Sequence, residues 1–211
     1  MPNSVRETRN PRVRARRTQR RQEILEAAWG LARRDGIALM SLRTLAAAVG
    51  LRAPSLYEYF PSKDAIYDAM FAEGWAALAA HTQAVPQTGD RMIDAVAAMD
   101  AFLAFCADDH ARYQLMFTRV VPGWEPSPEA YAPAVTYYEE ILAHLVRLGV
   151  TDLALVDLLT AIGSGLAAQQ AANDPGGDRY RRLVPAALQM FLAHVDRTAA
   201  SRPPTDAEEM P

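Results

Sequence analysis

The stretch "GLRAPSLYEYFPSKDAI", residues 50–66, combines a glycine, a short apolar segment, two tyrosines and a lysine. Its central part, Ala53 to Phe60, is too short to be a stable helix in water by itself. Pro54 suits the first turn of a helix, where the missing N–H is not needed, and Pro61 ends the segment. The sequence therefore predicts a short helix that other parts of the chain hold in place.

Helical spacing predicts two helices ahead of this segment. The first, in "RRQEILEAAWGLARRDG" (residues 20–36), ends at a glycine and has apolar residues on one face: Ile24, Ala28, Leu31 and Ala32. The second, in "SLRTLAAAVG" (residues 41–50), starts at the N-cap Ser41 and repeats the pattern with Leu42, Leu45, Ala46 and Val49. A further helix, capped by Ser62, is predicted to reach about His81.

A helix, a short helix, a glycine turn and a second short helix form the layout of a helix-turn-helix motif. In that motif the second helix enters the major groove with its N-terminal residues against base edges, and these are here Arg52, Ala53, Pro54 and Ser55. We expect Leu56 and Phe60 to face a three-helix core. Donors on the flanks predict phosphate contacts, namely Ser41, Tyr59 and Lys63.

Charge is distributed unevenly along the chain. Residues 1–63 hold thirteen basic and five acidic residues, a net charge of +8, whereas the remaining 148 residues carry −11. This asymmetry predicts a polyanionic partner for the N-terminal part. Residues 1–18 are arginine-rich and almost without apolar residues, so we expect a disordered arm. The arm is either a solvated tail or a minor-groove contact made by Arg12, Arg14, Arg16 and Arg17.

Residues 20–70 resemble the DNA-binding domain of the TetR family of bacterial transcriptional repressors. Three segments carry the resemblance in order and spacing: "ILEAAWGLARRDG", "SLRTLAAAVGL" and "LYEYFPSKDAI". It implies base-reading roles for Arg43, Arg52, Ala53, Pro54 and Ser55, and phosphate contacts by Ser41, Tyr57, Tyr59 and Lys63. Partial burial in the core is the alternative for Tyr57. Because the methyl group of Ala53 cannot donate a hydrogen bond, base specificity is expected to depend more on the two arginines.

The rest of the chain is also predicted to be helical, which makes the fold all-α. "TQAVPQTGD" (residues 82–90) interrupts the pattern, and later helices are expected at about 130–148, 152–172 and 179–198. The predicted organisation is a basic arm (1–18), a helix-turn-helix domain (19–63), a connecting helix and linker (64–85), a larger helical domain (86–199) and a disordered tail (200–211).

By resemblance, the C-terminal domain binds a small molecule and forms a homodimer through its last two helices. Small residues in "AIGSGLAAQQAA" (161–172) predict a close helix contact at Gly163, Gly165 and Ala168, either across a dimer or within the chain. Bulky or polar-tipped side chains are the pocket candidates: Met99, Phe102, Tyr113, Phe117, Arg119, Trp124 and Tyr137. Core packing is the alternative for the methionine and aromatic residues.

Catalysis is not indicated, because the sequence has no nucleophile, metal or phosphate-loop motif. One cysteine excludes an internal disulfide, the four histidines lack metal-ligand spacing, and no cofactor is predicted. Without an apolar run of about 18 residues, the expected location is the cytoplasm. The sequence predicts a repressor that binds a palindromic operator in double-stranded DNA as a homodimer and is released by a small molecule. The alternative is a ligand-independent DNA-binding protein, structural or controlled by a protein partner.

Overall fold

The computed structural model describes residues 11–201, and within that range it contains nine α-helices and no strand. The predicted all-α fold class is confirmed. In chain order the helices are α1 (Pro11–Asp35), α2 (Leu42–Ala48), α3 (Ala53–Leu56), α4 (Lys63–Gln83), α5 (Arg91–Asp108), α6 (His110–Phe117), α7 (Pro128–Arg147), α8 (Leu153–Asn173) and α9 (Val184–Ala200). Short 3₁₀ turns lie at Ile37–Leu39 and Arg181–Leu183.

The chain divides into two compact units that do not follow chain order. The first contains residues up to 79 together with 109–137, and the second contains 80–108 together with residues from 138 onward. Ala111, Leu115 and Ala134 explain the division, because they are buried in the same core as the helix-turn-helix. The sequence predicted a helix-turn-helix domain at 19–63, a connecting helix and linker at 64–85 and a helical domain at 86–199, whereas this division groups α6 and the first part of α7 with the helix-turn-helix core.

Helix α1 begins at Pro11, so residues 11–18 of the predicted disordered arm are helical in the structure. Proline is favourable at the first position of a helix, and arginine has a good helix propensity, so this polar segment can extend α1 without apolar contacts. The rest of the predicted arm, residues 1–10, and nearly all of the predicted tail, 202–211, lie outside the described residues.

Two turns fix how the helix-turn-helix elements follow one another. Gly36 and Gly50 have φ values of 89° and 68°, a backbone region that other residues rarely adopt. Ser41 is the N-cap of α2, as predicted, and forms a capping box with Thr44: the Thr44 N–H donates to Ser41 Oγ at 3.1 Å. Ser62 caps α4 in the same way, accepting from the Ala65 N–H at 3.0 Å.

The short segment is anchored by burial. Leu56 and Phe60 are each 1% exposed in the core of the first unit, as the sequence predicted. Regular α-helix covers only Ala53–Leu56, and the chain then tightens into a turn in which the Tyr57 N–H donates to the Pro54 carbonyl. The helix predicted through Phe60 is therefore shorter, because its last residues form i→i−3 bonds.

In the second unit, α5 packs against α8 and α9. Gly163 allows the α5–α8 contact: a Cβ there would lie 3.1 Å from the Met99 sulfur. Asp94, at the start of α5, accepts from the Thr88 N–H and hydroxyl and from the Gly89 N–H, and these bonds, the Thr88 N–H foremost, lower the pKa of its carboxyl group. The loop before α5 is thereby fixed on the helix.

Helix α8 has an unusual composition for its position. By length and composition it is the one helix of residues 11–201 that could cross a bilayer, and 22% of its most apolar window is buried. The sequence predicted no apolar run of about 18 residues, the length that spans a bilayer. That expectation does not hold for α8, whose single charged residue is Asp157. The exposed face of α8 is rich in small and apolar residues.

Leu56→Ala should reduce the free energy of unfolding by about 2–5 kcal/mol, since it opens a cavity in a fully buried site. Its neighbour Tyr57 is 55% exposed. Tyr57→Ala should therefore change stability by less than about 0.5 kcal/mol. Urea unfolding of both variants checks the pair, and equal losses would show that the recognition segment is not anchored through Leu56.

Candidate DNA-binding site

The predicted base-reading residues lie on the surface of the first unit. Arg52 is the N-cap of α3 and, like Pro54, is exposed, whereas Ala53 and Ser55 are half-buried. Arg43 lies in the first turn of α2 and is also exposed. Neither arginine forms an ion pair among the described residues, so both guanidinium groups are available to an external acceptor.

Each predicted phosphate contact has a different environment. Tyr57 is exposed, so the alternative of partial core burial is not what the structure has, whereas Tyr59 is half-buried against the core. Lys63 begins α4, and its Nζ lies 5.2 Å from the centre of the Tyr67 ring. The Ser41 hydroxyl is already the cap of α2. Tyr57 is thus the most exposed of the four, and Ser41, Tyr59 and Lys63 are half-buried.

Three arginines of α1 contact the helix-turn-helix backbone, a role that the sequence did not predict. Arg17 Nη2 donates to the Glu58 carbonyl at 2.9 Å, and Arg20 Nη2 donates to the Val49 carbonyl at 2.7 Å. Arg21 Nη1 donates to the Tyr59 carbonyl. The accepting carbonyls belong to the C-cap of α2 and to the turn that follows α3.

The Arg21 side chain also lies over the ring of Phe60, with 4.1 Å between the guanidinium carbon and the ring centre. Its partial burial, and secondarily the neighbouring charge of Arg17, lower its pKa from the usual value. An arginine remains protonated at any physiological pH. Arg21 therefore places a permanent charge between α1 and the recognition segment.

The predicted minor-groove residues do not form an extended arm within the described range. Arg12, Arg14, Arg16 and Arg17 all lie in α1. An α-helix with its side chains is about 10–12 Å wide, whereas the minor groove of B-DNA is about 6 Å wide. The body of α1 is too wide for that groove, so an extended minor-groove arm at these positions would require the start of α1 to unwind.

The far end of α1 is tied to α6. Arg33 donates through Nε and Nη2 to Asp109 Oδ2 at 2.9 and 2.7 Å, and Asp109 is itself the N-cap of α6 and 5% exposed. Arg112 Nη2 approaches the same oxygen at 3.4 Å. A carboxylate that is nearly buried thus joins the DNA-binding helices to α6 within the first unit.

The predicted pocket residues are divided among three places. Met99 and Phe102 lie beside Gly163 in the second unit. In the first unit, Arg119 and Trp124 line an open depression of about 590 Å³ with Asp64 and the loop 121–125, and Arg119 pairs with Glu125 at 3.2 Å. The remaining three belong to a ring cluster on α4, α6 and α7: Tyr113, Phe117 and Tyr137.

The ring cluster includes two residues that the sequence analysis did not name. Trp75 packs against Phe117 and Tyr137, with centroids 5.2 and 5.6 Å apart, and Phe71 joins Trp75 to Trp124. The Trp75 Nε1–H is buried and has no hydrogen-bond partner among the described residues. Both residues follow Tyr67 at intervals of four, so helical spacing was the signal that could have revealed them.

The predicted interface residues of α8 face two directions. Gly163 is buried against α5, so its close contact is made within the chain, whereas Gly165 and Ala168 are exposed and no neighbouring atom lies within 4 Å of a Cβ built at Gly165. Cys106 is buried, which raises the pKa of its thiol to about 12. Residues 11–201 contain no cluster of His, Cys, Asp or Glu suited to a metal ion.

Comparison with known proteins agrees with this geometry. Residues 24–70 match the family model described as bacterial regulatory proteins of the tetR family. The resemblance to this family that the sequence predicted is therefore confirmed for the N-terminal helix-turn-helix. Among curated proteins, none matches the chain significantly.

Solved structures share the fold over most of the chain. The putative regulatory protein SCO4313 has a TM-score of 0.70 and 23% identity, covering 87% of this chain and 100% of its own. The TetR-family regulator PfmR from Thermus thermophilus has a TM-score of 0.60 and 21% identity, with coverages of 81% and 97%. The fatty acid degradation regulator FadR from Bacillus halodurans has a TM-score of 0.63 and 16% identity, with coverages of 82% and 94%.

Substitutions at phosphate contacts and at base contacts should change DNA binding in different ways. Lys63→Ala should weaken binding to every duplex similarly and reduce the slope of log affinity against log salt by about 1 for each chain bound, because each chain loses one phosphate contact. Arg52→Ala or Arg43→Ala should instead change the base preferred at one position of each half-site. Selection from randomised duplexes measures this, and an unchanged motif for both arginine variants would reassign them to phosphate or solvent.

Proposed function

We propose that this chain is a cytoplasmic, non-enzymatic transcriptional repressor that binds a palindromic operator as a homodimer and is released by a small molecule. The observation that carries the DNA-binding part is the exposed pair Arg43 and Arg52, held on a buried helix-turn-helix frame with Lys63 and Tyr57 beside it. Base edges in the major groove accept bidentate hydrogen bonds from arginine, above all at guanine.

The exposed faces of α8 and α9 support the homodimer. Leu158 on α8 is 42% exposed and Met190 on α9 is 69% exposed. Gly165 and Ala168 extend the α8 face. A second copy would cover both faces by a two-fold axis and place two recognition segments on successive major grooves, about 34–36 Å apart or a near multiple of that spacing.

Ala168→Glu should weaken the dimer, since it places a charge where we propose a second copy packs, and operator affinity should fall with it. Ala132→Glu adds the same charge to an exposed alanine of α7 and is the control. Light scattering of the free protein and the stoichiometry of a selected operator complex are the measurements. A wild-type monomer that binds one chain per site would contradict the proposal.

A small-molecule site in the ring cluster would distinguish a ligand-released repressor from a ligand-independent DNA-binding protein. The observation in its favour is the buried Trp75 N–H without a partner among the described residues, which would donate to an acceptor on an aromatic or apolar ligand. Tyr137 and Phe117 supply apolar walls beside it.

The aromatic sulfonate 1-anilinonaphthalene-8-sulfonate is a suitable probe for this site. We expect the folded protein to bind it at one site per chain, and Trp75→Phe, which removes the N–H and keeps an aromatic ring, to weaken binding. Trp29→Phe is the matched control, because Trp29 also has a buried N–H without a partner in the described part of the chain but lies under Arg33 and Arg112. Absence of probe binding, or equal losses in both variants, would favour the ligand-independent alternative.

A further inference from the structure

Guanidinium groups of α1 donate hydrogen bonds to backbone oxygens of the helix-turn-helix motif. Arg17, Arg20 and Arg21 lie on one side of α1, at spacings of three and four residues. Their acceptors are the carbonyls of Val49, Glu58 and Tyr59, one after α2 and two after α3. We name these three arginines the carbonyl clamp.

The acceptors are groups that need a donor from elsewhere. Val49 is the C-cap of α2, where helical carbonyls have no intrahelical partner and carry the negative end of the helix dipole, whereas Glu58 and Tyr59 lie in the turn that follows α3. Helix α3 has four residues, so its own hydrogen bonds cannot fix its direction. A guanidinium group satisfies such carbonyls and is attracted by their partial charge.

Arg20 is itself held in place. Its Nη1 pairs with Glu23 Oε2 at 2.6 Å while its Nη2 donates to Val49. Arg21 is fixed differently, by the ring of Phe60 beneath it. Both side chains are partly buried, and their hydrogen bonds are directed at the motif.

We propose that the carbonyl clamp positions the recognition segment, and that Arg20 and Arg21 thereby determine operator affinity without contacting DNA. The proposal rests on the DNA-binding function proposed above. It distinguishes these arginines from Arg16, which lies on the same helix, is exposed and has no bond to the motif in the structure.

The test compares Arg20→Met and Arg21→Met with Arg16→Met in the full chain, on the selected operator and on an unrelated duplex. All three variants lose one positive charge from α1. The clamp predicts that Arg20→Met and Arg21→Met lower operator affinity about tenfold more than Arg16→Met does, because each loses a charged hydrogen bond. Affinity for the unrelated duplex and the salt slope should change no more than they do in Arg16→Met, because neither clamp arginine is proposed to contact DNA.

Glu23→Ala leaves every arginine in place and tests whether Arg20 contacts phosphate or positions the motif. The two roles predict changes of opposite sign in DNA affinity. If Arg20 contacted phosphate, removal of the neighbouring negative charge would raise affinity for all duplexes. If Arg20 is a positioning residue, loss of its partner should lower operator affinity selectively. Circular dichroism of each variant confirms folding before binding is compared, and Glu23→Ala remains informative if an arginine variant fails to fold.

Failure of the clamp and failure of the proposed function are separable. A wild-type protein that selects no duplex would end the DNA-binding proposal. A wild-type protein that binds its operator, together with Arg20→Met and Arg21→Met variants that lose no more affinity than Arg16→Met, would overturn the clamp alone. A reduced salt slope beyond that of Arg16→Met would reassign the residues to phosphate contacts.

Discussion

The DNA-binding surface depends on one constraint, which is that a four-residue helix cannot hold its own orientation. Helix α3 spans Ala53–Leu56 and is followed at once by a tightened turn. Two kinds of interaction from outside compensate for this shortness. The side chains of Leu56 and Phe60 are buried in the core, and the backbone oxygens after the helix accept hydrogen bonds from α1.

Helix α1 is therefore more than the first member of a three-helix core. Its N-terminal half supplies the arginines that meet the motif, its middle supplies buried residues such as Ile24 and Ala28, and its last turn binds Asp109 through Arg33. One continuous helix thus contacts both the recognition segment and the cap of α6. The basic composition of this helix serves the fold as well as the proposed meeting with DNA.

Much of this arrangement could be predicted from the sequence, because local signals determine it. The period of Ile24, Ala28 and Leu31, the cap at Ser41 and the spacing of Leu56 and Phe60 act over a few residues, and each prediction is confirmed. The clamp could not be predicted in the same way. Its acceptors are backbone carbonyls 29 to 41 residues away, and a carbonyl carries no side-chain signal.

Other differences have the same origin. Gly163 packs on α5 because two distant helices cross there, and α6 joins the first unit because Ala111 and Leu115 reach its core. Trp75 was recoverable from its spacing with Phe71, whereas the missing partner of its N–H among the described residues is a property of the folded cluster. The roles of the base-reading and phosphate residues stay predictions, since their test is binding to DNA.

Amide hydrogen exchange of the free protein tests most directly whether the recognition segment is fixed before DNA is bound. The Tyr59 and Phe60 N–H groups both donate to the Leu56 carbonyl at 2.9 Å. If burial and the clamp hold the segment, these amides should exchange nearly as slowly as that of Ala28 in the core of α1, because opening them requires unpacking of the core. Rapid exchange at Tyr59 and Phe60, with Ala28 still protected, would show a segment that is ordered only by DNA and would contradict the account.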